Sequence, residues 1–118
     1  MGIKDRFRKL ATSVDDINDD RVRQRLATLD LTPIGGVEAR VPLRIGGEIK
    51  RLRTVPRSGV PSLDVLITDG TGEIHAVFTG RRALGGIEPG RAVVIEGVAR
   101  RERGELVILN PSYTLIAG

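Results

Sequence analysis

LDVLITDGTGEIHAVFTGRR, residues 63–82, is the stretch on which the fold turns. In its first half Leu63, Val65 and Ile67 alternate with Asp64, Leu66 and Thr68; in its second, Ile74, Ala76 and Phe78 alternate with His75, Val77 and Thr79. A period of two with one apolar face is the pattern of a half-buried antiparallel strand. Asp69-Gly70-Thr71-Gly72 between them supplies side-chain acceptors and residues that tolerate positive φ, so the chain can reverse there. The stretch predicts a β-hairpin with Ile74 and Phe78 facing inward.

Working outward, the pattern stays β from Val41 to the C-terminus. Val41, Leu43 and Ile45 alternate, Gly46-Gly47 suggests a bulge or sharp bend, and Ile49 and Leu52 continue the strand. TVPRSGVP, residues 54–61, reads as a loop because of its two prolines and its glycine. Arg81–Gly90 reads as a connector with room for one helical turn at Ala83-Leu84. Ala92–Ala99 makes a fourth strand, Arg100–Gly104 a turn, and Leu106–Leu109 a fifth strand. Asn110-Pro111 interrupts that strand, and Tyr113, Leu115 and Ile116 extend it at the edge. The expected class is mainly β. A long bent first strand with interior glycines and five strands in all matches a closed, five-stranded Greek-key OB-fold barrel.

Before Val41 the pattern is helical. Ile3, Phe7 and Leu10, then Val22, Leu26 and Leu29, are spaced i, i+4, i+7, as on two short amphipathic helices. Thr32-Pro33-Ile34-Gly35-Gly36 reads as a linker. The expected division is a helical N-terminal extension and linker over residues 1–40 and an OB-fold domain over residues 41–118.

Composition narrows the functional classes. With 118 residues and no cysteine, the chain suits one domain without disulfides or thiolate metal sites. No eighteen-residue apolar run is present, and the opening MGIKDRFRKL is too charged for a signal peptide, so a cytoplasmic protein without membrane contact is expected. One histidine, no phosphate-loop Lys-Ser/Thr pair and serines without a paired base point to no catalytic residues, no metal and no cofactor. No small-molecule substrate is expected either.

Several phrases carry a family resemblance. GEIKRLRTVP, DGTGEIHAVFTGRR, IEPGRAVVIEGVAR and ILNPSYTLI resemble the small actinobacterial proteins named for an OB-fold nucleic-acid-binding domain. More distantly they resemble the wedge domain of the branch-migrating DNA helicase and tRNA-anticodon-type OB modules. The resemblance covers roughly residues 40–118. It implies a nucleic-acid partner, DNA ahead of RNA, and a place beside a larger repair, recombination or replication assembly.

Charge placement agrees with that. The net charge is +4, and residues 41–118 carry eleven basic and eight acidic side chains. In an OB barrel, the face of strands two and three and the loops joining strands one to two and four to five form the binding surface. Lys50, Arg51, Arg53 and Arg57 flank the first loop, Arg100, Arg101 and Arg103 occupy the other, and Arg81 and Arg82 leave strand three nearby. The face itself would carry Asp64, Leu66, Thr68, His75, Val77 and Thr79. Of these only His75 could stack on a base, so binding would rest on arginine and phosphate, with slight sequence preference. A second reading makes Leu66 and Val77 an exposed apolar patch that, together with the N-terminal helices, docks another protein.

Overall fold

The computed structural model describes residues 30–116. The two amphipathic stripes of the predicted helical extension fall on residues 1–29 and lie outside the described residues. The described chain begins with a short 3-10 turn, Ile34–Gly36, followed by β1 (Pro42–Arg57), β2 (Val60–Thr68), β3 (Glu73–Thr79), β4 (Ala92–Glu102), β5 (Glu105–Leu109) and β6 (Ser112–Ile116). No described helix is long and apolar enough to cross a membrane.

The predicted hairpin forms with the expected faces. β2 and β3 pair antiparallel from Ser62 opposite Thr79 to Thr68 opposite Glu73. Leu63, Val65, Ile67, Ile74, Ala76 and Phe78 all enter the core. β3 then pairs parallel with β5, Ile74 opposite Leu106 and Val77 opposite Leu109. β5 pairs antiparallel with β4, and β4 with the first half of β1, Pro42 opposite Val98 through Glu48 opposite Ala92. The second half of β1 returns to β2. Five strands therefore close a hydrogen-bonded ring in the order β1-β2-β3-β5-β4, with β6 added to β4. Asn110-Pro111 interrupts the chain after β5 as expected: Asn110 takes φ 50°, and its Oδ1 accepts from the backbone N–H of Thr79 at 2.9 Å. Tyr113, Leu115 and Ile116 do not extend the fifth strand, however, but lie in the sixth, which pairs with β4 from Ala92 opposite Ile116 to Glu96 opposite Ser112.

Why β1 can serve two neighbours is a matter of sterics. A Cβ on Gly47 would lie 2.5 Å from the Thr68 carbonyl oxygen, so only glycine lets β1 pass that close to β2 while turning from β4. The register irregularity expected near Gly46-Gly47 falls instead at Lys50, the extra residue between the pairs Ile49–Ile67 and Arg51–Leu66. Ile45, Ile49, Ile67, Ile74, Ile95 and Ile108 fill the interior with almost no exposure. Burying each such side chain is worth about 1.5–3 kcal/mol.

Other local readings are corrected. Residues 100–102 are not turn but the end of β4, so Arg100 and Arg101 are strand residues and only Arg103-Gly104 reverses the chain. Residues 54–61 are not a loop: β1 and β2 run on, with Pro56 opposite Pro61, and only Ser58-Gly59 forms the turn. β4 leaves β1 after Glu48, so this ribbon has a free edge where a proline forfeits no ladder bond. Thr32–Gly36 is packed rather than loose, since Ile34 is 1% exposed in the core and Thr32 N–H donates to the Arg44 carbonyl at 2.9 Å. Ala83-Leu84 forms no helical turn; the N–H of Ile87 closes a reverse turn on the Leu84 carbonyl at 3.2 Å, with Gly86 at φ 78°.

Candidate nucleic-acid interface

Two hairpin arms rise from the ring. The first joins β1 to β2 through Ser58 and Gly59 (φ 51° and 77°); the second joins β4 to β5 through Arg103 and Gly104 (φ 52° and 81°). Paired positive φ values mark the tight two-residue turns whose twist matches that of the strands. The arms leave opposite ends of β3. The first departs beside Thr79, where Ser62 pairs, and the second beside Ile74, where Leu106 pairs.

The arms nevertheless touch. Arg57 Nη1 and Nη2 donate to the two carboxylate oxygens of Glu102 at 3.1 and 2.8 Å. Arg100 Nε donates to the same Glu102 Oε2 at 2.7 Å. For arms that leave opposite ends of β3 to meet in this way, the first must bend back toward the second. The negative charge of Asp64, midway along β2, reaches Arg57 and helps to raise its pKa, behind the larger effect of the Glu102 hydrogen bond. Glu102 is held below its ordinary value of 4.5, first by the Arg57 hydrogen bond and further by Arg100, against the opposing pull of burial.

Beneath the arms, registers line up one row of outward residues across the sheet: Arg51, Leu66, His75, Val107 and Arg100. Beside it runs Arg53, Asp64, Val77 and Leu109. His75 Nδ1 meets Asp64 Oδ1 at 2.8 Å, its Nε2 meets Glu105, and Arg53 approaches Asp64 at 3.6 Å. The expected apolar docking patch is absent, because Leu66 is 6% exposed and Val77 2%. Alternation correctly puts them on the outer side, where they are nonetheless buried.

The ten basic residues singled out by sequence do not share one state. Lys50 pairs with Glu73 at 3.3 Å, Arg53 with Asp64, and both Arg57 and Arg100 with Glu102, while His75 lies between two carboxylates. Arg101 reaches only the Gly104 carbonyl in its own turn, at a long 3.5 Å. Arg51, Arg81, Arg82 and Arg103 are exposed and take no ion pair among the described residues. Arg81 and Arg82 follow Gly80, whose N–H donates to the Pro61 carbonyl at 2.8 Å, so they stand at the root of the first arm. Sequence reasoning misses Glu102 and Glu105 as partners. One signal is available: Arg100 and Glu102 are two apart in a strand and so share a face.

Neither described aromatic is offered for stacking. Phe78 is core, and Tyr113 packs edge-on against it with ring centroids 5.6 Å apart. Among the described residues no group of three or more histidines, cysteines or acids could hold a metal ion.

Comparison with known proteins bears on this geometry. A search of curated proteins finds no significant match. Among solved structures, the chain resembles the replication factor A related protein of Methanobacterium thermoautotrophicum at 19% identity, over 74% of this chain and 91% of that one, with a TM-score of 0.57. It resembles the second OB-fold domain of replication protein A from Methanococcus maripaludis at 15% identity, over 75% of this chain and 97% of that one, with a TM-score of 0.60. A replication protein A heterotrimer bound to single-stranded DNA matches at 14% identity, over 79% of this chain and 75% of that one, with a TM-score of 0.52. At such identities the likeness is one of fold. The family model described as OB-fold nucleic acid binding domain, of the tRNA anti-codon type, matches residues 43–116, the whole strand ring with β6, and the chain belongs to that family.

Proposed function

We propose that the chain is a non-catalytic module that binds single-stranded nucleic acid, DNA ahead of RNA, along the β2–β3 face between the two arms. One observation carries this reading: arms from opposite ends of β3 bring Arg57 and Arg100 onto a single acceptor, Glu102, above that face. Lys50, Arg51, Arg53 and Arg103 supply further cations along the same path, with Arg81 and Arg82 at one root of it; Arg101, in register with the core residue Leu106, leaves β4 on the opposite face from Arg100. His75 sits in the floor. Because the face offers no exposed aromatic ring among the described residues, phosphate contacts dominate and sequence preference is slight. The domain that does this work is residues 41–118, with residues 1–40 as an extension whose Ile34 docks on it. A heterotrimer that includes a chain of similar fold holds single-stranded DNA, which supports that strand form. The role in view is a cytoplasmic one beside repair, recombination or replication machinery.

The test is fluorescence anisotropy with labelled oligonucleotides across a salt series. Affinity should fall steeply with salt, single strands outcompeting duplex. Arg51→Ala combined with Arg103→Ala should weaken every sequence several-fold and flatten the log–log salt slope by about 0.7 for each phosphate no longer neutralised. No binding at low salt to any DNA or RNA would overturn the reading.

A further inference from the structure

The ion pairs over the face are arranged in a way the nucleic-acid reading does not by itself require. A site meant only to be cationic would leave its arginines open to solvent. Here the two that meet from opposite arms are both spent on one carboxylate. Glu102 takes the Arg57 fork with both oxygens, at 3.1 and 2.8 Å, and accepts from Arg100 Nε at 2.7 Å. Glu102 offers two anionic oxygens, held bidentately by one guanidinium and capped by a second, and the two non-bridging oxygens of a phosphodiester can be held in the same way. The Glu102 side chain is 30% exposed and that of Arg57 27%, so an incoming anion can reach the junction from solvent.

We propose that Glu102 is an internal stand-in for a backbone phosphate: it occupies the place between Arg57 and Arg100 that a phosphodiester takes on binding, and holds the arms together until a nucleic acid displaces it. The inference rests on the nucleic-acid-binding reading and adds a competitor to it. Exposed ion pairs are individually weak, so the exchange is accessible. A lone anion competes poorly with a carboxylate already tethered in place. A strand already held by Arg51 presents its next phosphate at high local concentration, so the exchange favours a polyanion over a single ion. The displaced carboxylate also leaves a negative charge near the strand, which lowers affinity below what the arginine count alone would give.

The experiment uses the full chain and a labelled oligodeoxythymidylate at one fixed salt concentration. Glu102→Gln keeps the side-chain shape and removes the charge; it should bind roughly two- to tenfold more tightly than the wild type. The gain should vanish when Glu102→Gln is placed on Arg57→Ala with Arg100→Ala, because the competitor then has nothing to guard. Independently of any variant, the guanidinium Nε–H signals of Arg57 and Arg100 in the wild type should shift as the oligonucleotide is titrated. Equal or weaker binding by Glu102→Gln, a gain that persists without the two arginines, or unmoved guanidinium signals at saturation each overturn the proposal while wild-type binding stands. Absence of binding by both proteins overturns the nucleic-acid reading and this one with it.

Discussion

Glu102 carries a second consequence, for stability. Its pKa is depressed in the folded protein, chiefly by the Arg57 hydrogen bond. A carboxyl depressed on folding adds stability that is fully present above its unfolded value and is lost as pH falls through the folded one. The wild type should therefore melt higher than Glu102→Gln at neutral pH, and the gap should narrow as pH falls below 4.5. Thermal unfolding of both proteins across that range checks it, and a gap independent of pH would speak against the carboxylate. The partnership is only half legible in sequence. Arg100 lies two positions from Glu102, within reach of strand periodicity, whereas Arg57 lies 45 positions away. Nothing local could pair them, because their meeting depends on how the first arm folds back.

At the level of elements, the β2–β3 turn shows why some of the chain reads correctly from sequence and some does not. Asp69 Oδ1 accepts from the N–H of Thr71 at 2.8 Å, and Thr68 Oγ1 donates to the Gly72 carbonyl at 2.9 Å, all inside one short segment. Local bonds of this kind are written into TDGTG, residues 68–72, itself. The same turn also receives the 3-10 turn: Ile34 N–H donates to Asp69 Oδ2 and Gly35 N–H to Thr71 Oγ1, both at 2.9 Å. That docking spans 35 and 36 positions, which is why Thr32–Gly36 passes for a linker when read locally. The first arm is hidden for another reason, since proline breaks strands except at an edge, and edges are a property of the assembled sheet. Asp69→Ala removes the acceptor shared by Ile34 and Thr71 and should cost about 1–3 kcal/mol in urea unfolding. Gly35→Ala would bring its Cβ to 2.5 Å from the Thr71 carbonyl oxygen and should cost a similar amount, about 1–3 kcal/mol.

For the molecule as a whole, the alternation of apolar residues is enough to anticipate a closed ring, because closure buries many inward isoleucines without leaving a bare edge. What alternation does not reveal is the fate of the outer face, where Leu66 and Val77 are buried. Native-state hydrogen exchange should resolve the two regimes. Amides of Val93, Val94 and Ile95, in a strand flanked on both sides by β1 and β6, should exchange slowest, and those of the first arm fastest among the strands. Uniform protection along β1 would contradict this. The parallel join of β3 to β5 makes the ring continuous, so it has no seam along which to splay. Compliance is thereby confined to the two ribbons above it: a guest of unfamiliar curvature is met by bending fingers over an unyielding palm.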